Sequence, residues 1–259
     1  MNRIETAFTH IKKEGKLAMM PFLVAGFPNF SQSLKILKVL SQHSDLLEIG
    51  FPYSDPLADG PVIQKADQVA LKAGSTTSKV FELIKNLRLT TEIPITVLVY
   101  ANLVYQRGIE KFYRDARNAG IDGVLIPDVP FEEISIFLKA AKKYNIDNIY
   151  LIATTTTPRR LNKITKVAQG YLYLTSVVGI TGTQKDIPRK TLQYIKQIKR
   201  QTRLPIAVGF GISNLSQVKK LKINGADGVI IGSSLIKLIQ KSNTNNPQTL
   251  INFLKNLNY

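Results

Sequence analysis

Short apolar runs alternate with amphipathic stretches along the whole chain. Eight runs are rich in β-branched and other aliphatic residues, and most are apolar on both faces, which is typical of buried parallel strands. They are Met19–Ala25, Leu46–Gly50, Ile95–Tyr100, Gly123–Pro127, Ile149–Thr154, Tyr171–Thr175, Ile206–Gly209 and Val229–Gly232. The stretches between them carry apolar residues at helical spacing, such as Leu34, Leu37 and Leu40. The pattern predicts strand–helix units whose strands pair in parallel through right-handed crossovers.

A short internal repeat favours a closed barrel over an open, doubly wound sheet. Ala119–Ile126 (AGIDGVLI) matches Asn224–Ile231 (NGADGVII) almost position for position, at the heads of predicted strands four and eight. Each copy places a glycine where a helix must end in left-handed geometry. A GxGxxG turn, which would indicate a dinucleotide-binding sheet, does not follow the first strand. We predict the α/β class and a single (β/α)8 (TIM) barrel domain over residues 1–259, with an extra N-terminal helix.

Composition and charge narrow the classes of function. The absence of cysteine excludes a disulfide scaffold, a thiolate metal site and a cysteine nucleophile. Lysine and arginine outnumber aspartate and glutamate by 35 to 18, which raises nucleic acid, an anionic membrane or an anionic substrate as partners. The lysines are scattered over the predicted helices, and no apolar run approaches the roughly 20 residues of a membrane helix. We therefore predict a soluble protein with no nucleic-acid or membrane binding. Lysine outnumbers arginine by 25 to 10, and asparagine and isoleucine are abundant. Because these residues have AT-rich codons, we predict a bacterial cytoplasm or a plastid (chloroplast) stroma.

Glycine-rich turns follow the last two predicted strands. Gly209–Ser213 ends strand seven, and Gly232–Leu235 ends strand eight. In this fold the two loops form a recurrent phosphate site, and a helix starting at Ser233 or Ser234 would direct its positive end at an anion. A third turn, Gly179–Thr183, is placed to act as a lid over the same ligand. We predict a phosphate site, although such glycines also serve tight strand-to-helix turns.

A single glutamate interrupts the apolar sequence of strand two. Strand alternation puts Leu46, Glu48 and Gly50 on one face. If this face lines the barrel, Glu48 points into its mouth, where burial would raise its pKa and let it exchange a proton near neutrality. The alternative is a structural acid bonded to a buried hydroxyl.

Three aspartates are candidates for a second acid–base group. Asp55 and Asp59 lie in a proline-rich loop after strand two, and Asp128 follows strand four. Asp55, directly before a proline, is more typical of a turn, whereas Asp59 is the better candidate to face a ligand. Spacing does not decide between them. Both histidines of the chain fall outside the predicted mouth, so neither a histidine base nor a metal site is expected.

The segment EIGFPYSDPLADGP, Glu48–Pro61, closely resembles the signature of the tryptophan synthase alpha chain family. Further landmarks resemble the family in the same order along the chain, namely Pro21–Gly26, Val99–Asn102, Ile126–Pro130, Gly179–Gly182, Gly209–Ser213 and Gly232–Ser233. The first motif is long and specific, whereas the glycine turns alone would fit many phosphate-binding barrels. The resemblance implies a lyase of L-tryptophan biosynthesis that cleaves indole-3-glycerol phosphate to indole and D-glyceraldehyde 3-phosphate by a retro-aldol reaction.

The resemblance also implies roles for individual residues. Glu48 would move a proton between the substrate hydroxyl and indole C3, and Asp59 would bind and polarise the indole N–H. The implied substrate-binding residues are Phe22, Leu98, Tyr100 and Phe210 around the indole, Tyr173 near the glutamate, Thr181 in the lid, and Gly182, Gly211, Gly232 and Ser233 around the phosphate. Val177 stands where some members carry arginine, so a charge contact of the lid is not available here.

Partners and cofactors follow from the same resemblance. It implies an αββα tetramer with a beta subunit that carries pyridoxal phosphate, while this chain needs neither that cofactor nor a metal. The loop at Pro52–Asp59 and the region near Asp128 would face the partner, which would raise the activity. The alternatives are a stand-alone indole-3-glycerol phosphate lyase and another phosphate-binding barrel isomerase or synthase. An isomerase or synthase of that kind would have no need for Glu48 and the long loop that follows it.

Overall fold

Eight parallel strands close into a barrel in a computed structural model that describes residues 2–175, 186–209, 211–241 and 247–257. The strands are β1 (Ala18–Val24), β2 (Leu47–Gly50), β3 (Ile95–Leu98), β4 (Gly123–Leu125), β5 (Asp147–Ala153), β6 (Leu172–Thr175), β7 (Ile206–Gly209) and β8 (Gly228–Ile231). They are hydrogen-bonded in chain order, and β8 pairs with β1. The predicted barrel is therefore confirmed, and the predicted strand ends are wrong by no more than two residues.

Helices cover the outside of the barrel. Those described are α1 (Arg3–Lys13), α2 (Phe30–Ser41), α3 (Pro61–Lys72), α4 (Thr77–Arg88), α5 (Ala101–Arg107), α6 (Ile109–Ala119), α7 (Ser135–Tyr144), α8 (Pro158–Thr165), α9 (Arg189–Lys199), α10 (Leu215–Ile223), α11 (Ser233–Lys241) and α12 (Pro247–Leu257). Asparagine or threonine side chains cap the first turns of several, as Asn29 does for α2. Apolar residues at helical spacing, such as Leu37 and Leu40, are buried. Ile136 and Ile223 are exposed because they lie at helix ends.

The extra N-terminal helix closes the bottom of the barrel. Ile4, Phe8 and Ile11 recur at helical spacing and are all buried. The Phe8 ring lies 5.8 Å from the ring of Tyr171, centroid to centroid. Ile4 reaches the interior beneath Gly123, where an added Cβ would lie only 3.0 Å from its Cδ1 atom. Side chains of α1 therefore fill the lower end of the barrel interior.

The internal repeat forms the same backbone clamp twice at the bottom of the barrel. The glycine of each copy has a left-handed φ, +84° in one and +95° in the other. Asp122 donates its backbone N–H to the Ile95 carbonyl and accepts the Ile95 N–H on its carboxylate, both at 2.8 Å. Asp227 makes the same two bonds with Ile206, at 2.9 and 2.8 Å. The repeat therefore stabilises the fold and lies away from the strand ends where barrel enzymes act.

Strand alternation sends Glu48 into the barrel interior. Glu48 pairs in register with Phe22 on β1 and with Thr96 on β3. Gly50, two residues on, faces the same way, since a Cβ there would lie 2.6 Å from the Phe22 ring. The predicted inward face of β2 is thus the one observed, and it points toward the carboxyl ends of the strands.

Candidate active site

A cavity of about 380 Å³ lies at the carboxyl ends of the strands. Its walls come from the ends of β1, β3, β5, β6, β7 and β8, together with the loop after β2. The predicted site residues that line it are Phe22, Asp59, Leu98, Tyr173, Gly211, Gly232 and Ser233. The fold therefore brings residues from distant parts of the sequence to one pocket at the catalytic end of the barrel.

Glu48 is a fully buried acid beside this cavity. Its side chain is 0% exposed, and neither carboxylate oxygen has a hydrogen-bond partner among the described residues. Thr96, the neighbouring hydroxyl, instead donates to the Leu47 carbonyl and pairs with the Tyr171 hydroxyl. Burial, and secondarily the charge of Asp59, raises the pKa of Glu48 to about 8. The residue is therefore neutral at pH 7 and able to donate a proton.

Asp59 is held in place by a tyrosine hydroxyl. Tyr100 donates to Asp59 Oδ2 at 2.8 Å, and the Ala58 backbone N–H donates to the Tyr100 oxygen at 3.1 Å. Burial raises the pKa of Asp59 to about 6, and the hydrogen bond from Tyr100 opposes this rise. Two acids with separated pKa values thus share the site, with Asp59 the one that ionises first.

The loop carrying Asp59 is tied to helix α3. Gln64 donates its side-chain amide to the Asp59 carbonyl at 2.8 Å. The Tyr53 ring stacks on the Tyr100 ring, with centroids 4.9 Å apart and planes 20° from parallel. The Asp59 end of the loop is therefore held by α3, and the Tyr53 ring of the loop is held by Tyr100.

Sequence reasoning missed the support from Gln64, and it also missed a further buried acid, Asp67, for which a signal was present. Asp67 falls on the buried face of α3 together with Ile63, Ala66 and Ala70. A charged residue on the apolar face of an amphipathic helix is unusual unless it has a partner or a role. The periodicity of α3 would have singled it out.

The structure separates the three candidate aspartates. Asp55 is exposed, and its carbonyl accepts the Leu57 N–H in a tight turn. Asp128 accepts the backbone N–H of Ala101 at 2.9 Å and so binds the first turn of α5. Asp59 lines the cavity. The geometry therefore supports a turn role for Asp55 and a structural role for Asp128.

The glycine-rich turns lie at one end of the cavity. Gly211 has a left-handed φ of +54°, and α11 begins at Ser233, as predicted. Ser234 donates its hydroxyl to the Ile212 carbonyl at 2.5 Å, which ties the loop after β7 to the loop after β8. The backbone N–H groups of the first turn of α11, which have no acceptor within the helix, give this end a positive potential suited to an anion.

Four of the residues singled out in the sequence lie outside the part of the chain that the structure describes. Val177, Thr181, Gly182 and Phe210 lie outside the described residues, so their placement stays a prediction. Over the ranges described, no group of three or more His, Cys, Asp or Glu side chains is arranged to hold a metal ion. None of the helices in those ranges combines the length and apolarity needed to cross a bilayer.

The fold and the two acids, Glu48 and Asp59, together place the protein in the class of (β/α)8 barrels whose candidate acid–base groups lie at the carboxyl ends of the strands. The family model described as tryptophan synthase alpha chain matches residues 8–258. The chain belongs to the tryptophan synthase alpha chain family, whose members are lyases of tryptophan biosynthesis. This membership confirms the predicted family over the alternative phosphate-binding barrels.

Individual relatives span nearly the whole chain. The alpha chain of Methanothermobacter thermautotrophicus is 48% identical over 223 residues, covering 86% of this chain and 83% of its own. That of Arabidopsis thaliana is 40% identical, covering 92% and 87%. The solved tryptophan synthase A-subunit of Pyrococcus furiosus is 33% identical with a TM-score of 0.88, covering 94% and 97%. Tryptophan synthase of Mycobacterium tuberculosis matches with a TM-score of 0.91 at 27% identity, covering 99% and 96%.

Proposed function

We propose that the protein cleaves indole-3-glycerol phosphate to indole and D-glyceraldehyde 3-phosphate in a retro-aldol reaction. The observation that carries the proposal is the environment of Glu48. A fully buried carboxyl without a partner among the described residues lies beside Asp59, which Tyr100 orients. Such an acid stays protonated near neutrality, while the second acid ionises more readily and is available as an anion.

The two carboxyl groups divide the chemistry between them. Protonated Glu48 gives its proton to indole C3, which converts the ring to an indolenine cation with positive charge on N1. The Asp59 carboxylate accepts the N1–H and stabilises that charge. The Glu48 carboxylate then takes the proton of the side-chain hydroxyl, the bond from C3 to the side chain breaks, and its electron pair restores the indole. The hydroxyl carbon becomes the aldehyde, so protons and electrons balance within the substrate and one acid.

The rest of the cavity supports this orientation of the substrate. The glycine turns and the first turn of α11 are suited to the phosphate, as argued from their backbone N–H groups. Phe22, Leu98 and Tyr173 give the cavity apolar walls that suit the flat indole ring. A cation forming in such surroundings feels the nearby Asp59 charge strongly, because little water screens it.

Indole release from indole-3-glycerol phosphate tests the proposal. Glu48→Gln and Asp59→Asn should each lower kcat by at least about a hundredfold, the range in which single acid–base groups act. Asp55→Asn is the matched control, since Asp55 is an exposed acid of the same loop and its change should leave kcat unaltered. Full turnover by both site variants would overturn the mechanism. Turnover by one of them would show that its carboxyl has no part in the chemistry.

We also propose that the chain assembles with a beta subunit in an αββα complex, in which the beta subunit holds pyridoxal phosphate. Exposed apolar side chains at the catalytic end support a partner surface. Leu57 is 84% exposed on the Asp59 loop, and Tyr105 on α5 and Ile136 on α7 are 49% and 44% exposed. The Asn102 amide reaches the Tyr53 hydroxyl at 3.4 Å, so α5 and the loop are neighbours. Partner contacts there would stabilise the loop and raise the activity.

Sedimentation with a purified beta subunit tests the assembly. Leu57→Asp should weaken the complex and the activation by the partner, because it places a charge in an apolar contact. Leu89→Asp is the control, since Leu89 is 81% exposed at the end of α4. Equal binding by both variants, or equal activity of the chain with and without the beta subunit, would contradict this proposal.

A further inference from the structure

Two hydroxyl groups in the barrel interior form a pair that the proposed mechanism does not use. Thr96 on β3 is the in-register partner of Glu48 on β2. Tyr171 stands directly before β6, and its hydroxyl oxygen lies 3.2 Å from Thr96 Oγ1. All three residues are 0% exposed. The carboxyl of Glu48 nevertheless accepts no hydrogen bond from the described residues, although a hydroxyl stands beside it on the neighbouring strand.

The hydrogen bonds of the pair fix where its two protons point. Thr96 Oγ1 lies 3.2 Å from the Leu47 carbonyl oxygen, which can only accept, so Thr96 is the donor. A hydroxyl has one proton, so in its contact with Tyr171 the threonine oxygen must accept, and Tyr171 donates. Both protons are therefore used between Tyr171, Thr96 and Leu47, and neither is directed at Glu48.

Packing holds the two side chains in this orientation. The Thr96 methyl group faces Gly123 on β4, where an added Cβ would lie 3.3 Å from Cγ2. Because the methyl group points toward β4, the hydroxyl of this stiff, branched side chain points toward Leu47 on β2. The ring of Tyr171 packs on the ring of Phe8, with centroids 5.8 Å apart. The directions of the two protons are thus set by the residues around them.

We propose that Thr96 and Tyr171 are positioning residues, whose paired hydroxyls keep both protons away from Glu48 and leave its carboxyl to the substrate. The inference rests on the proposed function, in which protonated Glu48 is the donor to indole C3. A hydrogen bond from either hydroxyl would favour the ionised carboxylate and lower the pKa of Glu48. The further titratable groups near this carboxyl are Asp59, whose charge raises the pKa of Glu48, and Tyr173, which is neutral. Neither of them bonds it.

Thr96→Val tests the pair, because valine keeps the branched shape and removes the hydroxyl. Burial, and secondarily the charge of Glu48, holds the pKa of Tyr171 well above its usual range, so Tyr171 stays a donor within the field of that carboxyl. Without Thr96 its proton turns to the carboxylate, the stronger acceptor. The basic limb of kcat/KM, at pH about 8 in the wild type, should move down by about one pH unit. Thr96→Ser is the matched control, since it keeps the hydroxyl and should leave the limb in place.

A double variant separates the effect of the Tyr171 proton from structural disturbance. Thr96→Val combined with Tyr171→Phe removes both hydroxyls, so no donor remains to turn toward Glu48. The basic limb should then return to pH about 8. Structural disturbance alone would instead accumulate with the second substitution. Carboxyl 13C NMR of Glu48, assigned with Glu48→Gln, follows the same titration without turnover.

The outcomes separate the failure of this inference from the failure of the proposed function. A wild-type chain without indole-3-glycerol phosphate cleavage, with or without a beta subunit, would refute the proposed function, and the NMR titration would still test the hydroxyl pair. A Glu48 titration that Thr96→Val leaves unmoved would refute the inference alone. A double variant in which Glu48 titrates as low as in Thr96→Val would likewise refute it, because the shift would not then come from the Tyr171 proton.

Discussion

Tyr100 donates a 2.8 Å hydrogen bond to Asp59 Oδ2 while its own oxygen accepts the Ala58 N–H. The single proton of the Tyr100 hydroxyl is thus directed at the Asp59 carboxylate. Because this hydrogen bond favours the ionised form of Asp59, it keeps the pKa of that residue near 6 in surroundings whose burial raises it.

Replacing Tyr100 by phenylalanine should shift the acid limb of the activity profile. The proposed reaction needs Asp59 ionised and Glu48 protonated, so the plot of kcat/KM against pH should be bell-shaped, with limbs at pH about 6 and about 8. Tyr100→Phe removes the donor, raises the pKa of Asp59, and moves the acid limb to higher pH. A pH profile of wild type and variant measures this. An unmoved acid limb would mean that Asp59 does not titrate in the profile.

Stability should also depend on pH through Glu48. The pKa of Glu48 is about 8 in the folded chain and 4.5 ordinarily, so the folded state binds the proton more tightly. Its contribution to stability is complete below pH 4.5 and is lost as pH rises toward 8, by about 1.4 kcal/mol per pH unit at most. Glu48→Gln cannot ionise, so its stability relative to wild type should increase over this range. Urea unfolding at pH 5, 6.5 and 8 measures the trend, and a constant difference would contradict it.

A negative charge at the start of α11 should weaken substrate binding without unfolding the protein. Ser233→Asp repels the phosphate proposed to bind there, and about 1.4 kcal/mol of repulsion raises KM tenfold. The same aspartate favours the helix dipole, so the free energy of unfolding should stay equal or rise. Substrate saturation curves and urea unfolding check both halves. An unaltered KM would place the phosphate elsewhere.

Loss of the Asp122 backbone clamp, at the bottom of the barrel, should lower the stability of the fold and leave catalysis unchanged. Asp122 accepts the Ile95 N–H and pairs with Arg88 at 2.9 Å, with 7% and 13% of the two side chains exposed. Asp122→Ala leaves the Ile95 N–H without its acceptor and the largely buried charge of Arg88 without its carboxylate, and should cost about 3 kcal/mol of stability with kcat unchanged. Glu110→Ala breaks an exposed pair with Lys143 and should have no measurable effect. A kcat that falls with Asp122→Ala would link the two ends of the barrel.

The barrel was predictable because its signals are local. Apolar runs, helical spacing and the repeated left-handed glycines each depend on a few neighbouring residues. The start of β5 was missed because Asp147 and Asn148 are polar, yet the pairing of Asp147 with Gly123 makes them strand residues. Burial of polar side chains is decided by tertiary contacts, which periodicity does not report.

The candidate site was predictable in part for a similar reason. Alternation along β2 places Glu48 in the interior without any knowledge of other strands. The choice among Asp55, Asp59 and Asp128 needed distances, because each stands in a sequence suited to a turn. The hydrogen bond from Tyr100 to Asp59 joins residues 41 positions apart, which only the fold brings together.

Glu48 has a consequence for which molecules the site accepts. Among the described residues nothing bonds its carboxyl, so in the proposed reaction the substrate hydroxyl is what completes its hydrogen bonding. A substrate analogue without that hydroxyl would bury the acid unpaired and bind much more weakly, although it would still fit the pocket. A site built to hydrogen-bond a substrate hydroxyl rejects an analogue without that hydroxyl by several orders of magnitude. An apolar pocket discriminates far less against an analogue that lacks one methylene. In this barrel, selectivity for hydroxylated substrates would come from the same oxygen atoms that move the proton.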